Sequence, residues 1–198
     1  MSWETAAALF AFALAATWTP GPNNMMLAAS GASFGWRRTL PHAMGVAVGF
    51  PVMLFAIALG LGEVFQAMPA LRTGLAWLGC GVMLWLAWRI ATARAARGER
   101  RGRPLSFLEA SAFQWINPKA WVMCIGVSAT FATGARPVLE AAIAAVLFLA
   151  SGLSSSQGWS IFGAGIGRLL GEGAGLRAFN IAMATLLAGS AIWLVAGQ

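Results

Sequence analysis

The chain has 198 residues, of which 59% are hydrophobic and 10% charged, with a mean hydropathy of +0.74. A soluble domain of this size carries about 25% charged residues, so the composition excludes an ordinary soluble globule and calls for an all-α integral membrane protein. The net charge of +7 sits on loops between apolar runs rather than on one face, which argues against a nucleic-acid-binding surface.

The opening residues, MSWETAAALF, carry Glu4 as their only charge. They lack the basic segment of a secretory signal and are expected to be retained. A helix needs about 20 apolar residues to cross ~30 Å of hydrocarbon. Charge-free stretches of that order mark six candidate spans: residues 5–36, 39–62, 73–88, 110–135 (with Lys119 as its one charge), 141–167 and 178–198. Arg72 and Arg89 flank the third and can snorkel. Six spans leave no room for a separate soluble domain, so residues 1–198 are expected to form one transmembrane unit. Cys80 and Cys124 stand alone in apolar surroundings, with no CxxC or Cys–His cluster. They read as small core residues, and no metal or other cofactor is called for.

Two spans contain helix breakers in a polar setting. The first carries TPGPNN at 19–24 and the fourth QWINPKAW at 114–121. Proline removes a backbone donor and clashes with the carbonyl four residues earlier. In hydrocarbon the freed polar groups are tolerated only against packed protein or a cavity. Asn117-Pro118 reads as an N-cap with proline at the first helical position, and Gly21-Pro22 can restart the first helix in the same way. Each break precedes a Gly-x-Arg turn and a further apolar helix: Gly35-Trp36-Arg37 in one half, Gly134-Ala135-Arg136 in the other. Three spans per half is an odd number, so the halves, about 1–92 and 106–198, are expected to be inverted repeats of the kind secondary transporters use.

The basic residues give an orientation. With the N-terminus outside, the inner loops hold Arg37, Arg38, Arg89, Arg94, Arg97, Arg100, Arg101, Arg103, Arg168 and Arg177, and the outer loops only Arg72 and Arg136. Both termini are therefore expected outside the cytoplasm, with the basic loop at about 91–105 inside. That loop is a topology anchor or a contact for anionic lipid.

Restarted helix N-termini attract anions. Lys119 follows its break directly and lies about 16 Å along its span by helical rise, and an ionisable residue at such depth is a functional candidate. A carboxylate fits this charge, with the amides of Asn23, Asn24 and Asn117 orienting a polar ligand. The competing readings are a packing kink for PGP and a snorkelling anchor for Lys119.

With these residues in view, TPGPNNMMLAASGASFGWRRTLPH at 19–42 and FQWINPKAWVM at 113–123 resemble the LysE-type translocators, bacterial amino-acid exporters. NNMMLAASG, RRTLPH and QWINPKAWVM point within that family to exporters of cysteine and O-acetylserine. The resemblance covers essentially the whole chain. It implies export of small amino acids across the inner membrane, driven by the proton gradient. The family motifs map onto Pro20, Gly21, Pro22 and Asn23 and onto Asn117, Pro118 and Lys119. Met25 and Met26 stand where leucines and valines are usual.

The remaining features each carry two readings. His42, the only histidine, is an interfacial packing residue or a proton relay. SSSQ at 154–157 lines the cavity, with Gln157 as a further candidate ligand, or bonds a neighbouring helix. SFLE at 106–109 reads as a capping box, the alternative for Glu109 being a proton-coupling carboxylate. GAGIG at 163–167 lacks the preceding strand of a phosphate loop. Gly31-x-x-x-Gly35 and Gly45-x-x-x-Gly49 are expected to let helices pack closely, and small-residue faces permit a homodimer. No nucleophile–base pair, metal cluster or paired cysteines occur in the spans, so the chain does not read as an enzyme. The alternative to an exporter is a passive channel for amino acids or other small solutes.

Overall fold

The computed structural model describes residues 1–93, 102–131 and 136–196. Among them regular structure is entirely helical. Helix α1 (Trp3–Trp18) starts at Ser2, whose hydroxyl accepts the Thr5 N–H at 3.2 Å. It stops before Pro20, and α2 (Pro22–Phe34) restarts with Pro22 in its first turn. Gly35, at φ +81°, then separates α2 from α3 (Trp36–Ala56). A π-helical turn at Ile57–Leu61 and the short α4 (Gly62–Ala67) prolong α3, and α5 (Pro69–Ala91) follows.

The second half repeats the interruption. Helix α6 (Phe107–Phe113) runs into a 3₁₀ turn at Gln114–Ile116, Asn117 is extended, and α7 (Pro118–Phe131) restarts at proline. Helices α8 (Pro137–Leu170) and α9 (Ala174–Ala196) complete the chain. Among the described residues four segments are long and apolar enough to cross a membrane: Trp36–Val64, Pro69–Ala91, Pro137–Leu170 and Ala174–Trp193. The stretches expected as spans one and four are each in two pieces, of 16 and 13 residues and of 7 and 14 residues. None of these pieces reaches the about 20 residues that a bilayer needs. Gly134 and Ala135 of the second Gly-x-Arg turn, residues 94–101 of the basic loop and residues 197–198 of the last expected span lie outside the described residues.

The long α8 is the spine, packing along α1, α2 and α3, while α5 packs on α9. Glycine sets the α2–α8 spacing. A Cβ at Gly31 would collide with the Ser160 carbonyl, and Cβ atoms at Gly163 and Gly167 with the carbonyls of Ala28 and Ala32. The GAGIG stretch is thus a close-packing face. Gly45 and Gly49 serve in the same way where α3 meets Phe107 and Ser111 of α6. Gly35 departs from the expected pairing with Gly31. Nothing lies within 4 Å of its Cβ position, and its positive φ makes it the turn between α2 and α3.

Among the described residues two large apolar clusters and a smaller one, of Leu27, Ala43, Val46 and Ala110, fill the interior. One large cluster joins Leu9, Phe50, Met53, Cys124 and Phe148, from α1, α3, α7 and α8. The other joins Met25, Cys80, Met83, Phe113 and Leu187, from α2, α5, α6 and α9. Both cysteines are buried and unpaired, one in each large cluster. Large apolar side chains such as Trp77, Val122, Val146 and Trp193 face outward, the arrangement hydrocarbon solvent favours.

Candidate functional site

The site begins with a bookkeeping problem at the end of α1. The Thr19 N–H closes the last turn onto the Ala15 carbonyl at 3.0 Å. The prolines at 20 and 22 then supply no N–H. The Thr17 and Thr19 carbonyls are met by side chains instead. Asn24 Nδ2 donates to both, at 2.9 Å each. Ser155 Oγ donates to Thr17 O at 2.7 Å, and Lys119 Nζ donates to Thr19 O at 2.8 Å. A lysine cation at a helix C-terminus is electrostatically favoured. Each carbonyl thus has two donors, and two of the four bonds come from the other half of the chain, through Ser155 and Lys119.

The two restarted N-termini differ. In α2 the first helical bond is Met25 N–H to Gly21 O at 3.0 Å. The N–H groups of Asn23 and Asn24 precede it, and Gly21 offers no side-chain cap, so these amides are free to meet a ligand. In α7 Asn117 Oδ1 accepts the Lys119 N–H at 3.1 Å. The N–H groups of Ala120 and Trp121 bond the Asn117 carbonyl at 3.0 and 3.3 Å. The α7 start is capped by its own asparagine, and the open anion-attracting end belongs to α2.

The breaks also touch through their side chains. Asn23 Nδ2 donates to Gln114 Oε1 at 2.9 Å, and Gln114 Nε2 donates back to Asn23 Oδ1 at 3.3 Å. Gln114 Nε2 donates as well to the Ala110 carbonyl at 2.8 Å, and the residue is fully buried. At Gly21 an added Cβ would lie 2.9 Å from Lys119 Cδ and 3.2 Å from Nζ. Glycine there leaves room for the lysine stem to pass.

A cavity of about 60 Å³ opens at this crossing, room for about four waters. Of the sequence candidates it gathers Gly21, Pro22, Asn23, Asn24, Asn117 and Lys119. Pro20 and Pro118 stand in the adjoining backbone, in the break and at the start of α7. Gln157 is not among the lining residues; its Oε1 accepts the Trp36 indole N–H at 2.8 Å. The SSSQ stretch divides by helical phase. Ser155 and Ser156 line the cavity, while Ser154 accepts the Trp18 indole N–H at 3.3 Å. Val46, Phe50, Met123 and Phe148 form an apolar wall.

Thr17 and Gln114 were not among the sequence candidates, whereas Ser155 and Ser156 were named only as part of the SSSQ stretch, with two readings. The signal for Gln114 was a lone amide in an apolar run three residues before Asn-Pro. Glu109 is accounted for outside the cavity. It completes the capping box with Ser106 and takes a two-pronged ion pair from Arg103 at 2.6 and 2.7 Å. The hydrogen bond from the Arg103 guanidinium, with that from the Ser106 N–H, holds its carboxyl down at about 2. Among the described residues no three His, Cys, Asp or Glu side chains stand together as a metal site would require.

The sequence model of the LysE-type translocator family matches residues 14–198. A protein of Escherichia coli (strain K12) described as a cysteine/O-acetylserine efflux protein is 29% identical over 182 residues, covering 91% of this chain and 92% of the relative. A protein of the same description from Salmonella typhimurium (strain LT2) is 29% identical over 157 residues, covering 79% and 80%. No solved structure matches the chain.

Proposed function

The chain belongs to the LysE-type translocator family, and from that premise we propose that it is a secondary transporter exporting small neutral amino acids of the cysteine and O-acetylserine kind, by antiport with protons. The observation that carries this reading is the meeting of both broken segments at one cavity. There Lys119 Nζ and the unused N–H groups of Asn23 and Asn24 converge, and a carboxylate needs such donors. Substrate carboxylate displaces the Thr19 carbonyl from Lys119 and sits at the α2 N-terminus. Asn117 and Ser156 offer further polar contact, and Pro20, Pro22 and Pro118 hold the breaks open. Gln157 acts at one remove, fixing Trp36 and with it the start of α3.

In this reading the four long helices and the interrupted pairs α1/α2 and α6/α7 make six crossings, arranged as two inverted halves. The proline restart at Pro22 and its counterpart at Pro118 support that arrangement. The excess of arginine in alternate loops supports both termini lying outside the cytoplasm of a bacterial inner membrane. Access alternates by rocking of the halves about the breaks. The test is reconstitution of the purified protein in liposomes with a panel of labelled amino acids inside and a proton gradient imposed. Gradient-driven, concentrative movement of cysteine-like amino acids supports the proposal. Downhill movement that ignores the gradient makes the protein a passive channel, and no movement of any amino acid removes the reading altogether.

A further inference from the structure

A second, larger cavity of about 230 Å³ is lined by residues further along α2 than Asn23, from Met26 to Phe34. It is built from the C-terminal half of α2, the start of α3, the end of α5 and the strand of chain entering α6, and among its lining residues are Ser30, His42, Arg89 and Arg103. Ser30 and Asn23 lie on one helix seven residues apart, about 10 Å by helical rise. On α3, His42 precedes Val46 of the first cavity by one turn. The two cavities are therefore stacked along α2 and α3.

His42 is 2% exposed, and among the described residues neither ring nitrogen has a hydrogen-bond partner. Its polar neighbours are otherwise engaged: Ser30 Oγ and Thr39 Oγ1 bond each other at 3.0 Å. An imidazole carries at least one N–H donor in either protonation state, and burying it unsatisfied is costly. Among the described residues, then, the chain holds a buried ring donor with no protein partner beside this cavity. At the same cavity the Arg89 guanidinium lies over the Trp85 ring at 4.9 Å, and no carboxylate among the described residues pairs with it. Arg103 is committed to Glu109.

We propose that this cavity is a second carboxylate-binding site, in which His42 N–H and the Arg89 guanidinium hold the carboxylate of an amino acid before it passes the Asn23–Gln114 contact to Lys119. It rests on the export reading and extends it to a loading site on the basic, arginine-rich side of the protein. A planar, weakly hydrated guanidinium backed by an indole is suited to a carboxylate. The imidazole of His42 supplies a further donor at the same cavity.

The single histidine makes the test direct. Full-length protein carrying a histidine-free affinity tag, with ¹⁵N-labelled histidine, is placed in lipid nanodiscs. Its ring resonances are followed during titration with O-acetyl-L-serine, L-cysteine and the amino acids of the transport panel. At least one of these should move the ring signals saturably, and its methyl ester, which lacks the carboxylate, should not. Arg89→Gln should weaken the response about ten-fold, Arg89→Lys about three-fold, and Lys119→Met should leave it within two-fold. The proposal is overturned if no amino acid moves the ring, if the ester moves it equally, or if the shift follows Lys119→Met and ignores Arg89→Gln. Ring shifts without transport would sink the export reading and leave this site standing. Transport with a silent ring would do the reverse.

Discussion

Replacing Lys119 by methionine keeps the length of the stem and removes the charge, and it separates what the residue does for folding from what it does for a substrate. In the structure Lys119 Nζ makes one hydrogen bond to protein, to Thr19 O at 2.8 Å, and that carbonyl retains a second donor, Asn24 Nδ2 at 2.9 Å. No buried acceptor is stranded, so the cost to folding is that of one shared bond, about 1 kcal/mol. A carboxylate that loses its cationic partner loses a charge-assisted bond of about 1.5–3 kcal/mol, which is about 10–150-fold in affinity. Lys119→Arg keeps the charge, but its wider fork meets the narrow passage at Gly21, and export should fall between wild type and the methionine variant. The assay is efflux of labelled amino acids from cells at matched membrane levels, with melting of the purified proteins in parallel. A methionine variant that exports as well as wild type refutes the carboxylate role. One that loses export only because its melting temperature collapses refutes the energetic division argued here.

Three further outcomes follow from other contacts. Asn23→Ala strands the buried Gln114 Oε1, costing about 1–3 kcal/mol, Gln114→Ala frees a half-buried Asn23 amide at the cavity and should cost less, and the double variant should recover about 0.6 kcal/mol of coupling, read from equilibrium unfolding in mixed micelles; strict additivity would show that the pair is incidental. Gly163→Ala drives a methyl group into the Ala28 carbonyl and should destabilise by about 1–3 kcal/mol, whereas Gly165→Ala meets nothing within 4 Å and should be neutral or stabilising by up to about 1 kcal/mol; thermal melts of the two decide. The Glu109 carboxyl is held at about 2 against an ordinary value of 4.5. Its contribution to the α6 start is therefore whole above about pH 4.5 and is lost as pH falls through about 2. Solvent exposure limits it to about 0.5 kcal/mol or less, and the carboxyl ¹³C shift of Glu109 reports the titration.

The places where the sequence was most informative are those where a residue type forbids something locally. Proline without an N–H, asparagine before proline and glycine before proline set the ends of α1, α2 and α7 to within a residue or two. Ser-x-x-Glu placed the start of α6 because both capping bonds are local. What escaped was pairing at long range. That Gln114 meets Asn23, 91 residues away, or that Ser155 reaches Thr17, 138 residues away, depends on how α8 and α6 cross the first break, and no spacing rule encodes that crossing. Gly35 misled for a related reason. A Gly-x-x-x-Gly spacing cannot distinguish a packing face from a helix end, and only the backbone at φ +81° makes the distinction.

The double satisfaction of Thr17 and Thr19 explains how a broken helix can open in a place without bulk water. A site held shut by a single donor would expose a bare carbonyl each time that donor left, at a cost of about 1–3 kcal/mol, and opening would be resisted by the fold itself. Here Asn24 spans both carbonyls, so Lys119 can turn to a ligand while Thr19 O stays bonded. Ser155 secures Thr17 O in the same way. The fixed donors come from α2 and α8, two helices locked together at Gly31, Gly163 and Gly167. The mobile one comes from the first turn of α7, whose own N-terminus is already satisfied by Asn117. In the proposed transport cycle Lys119 can leave Thr19 O for a carboxylate while Asn24 and Ser155 keep both carbonyls of the first break hydrogen-bonded.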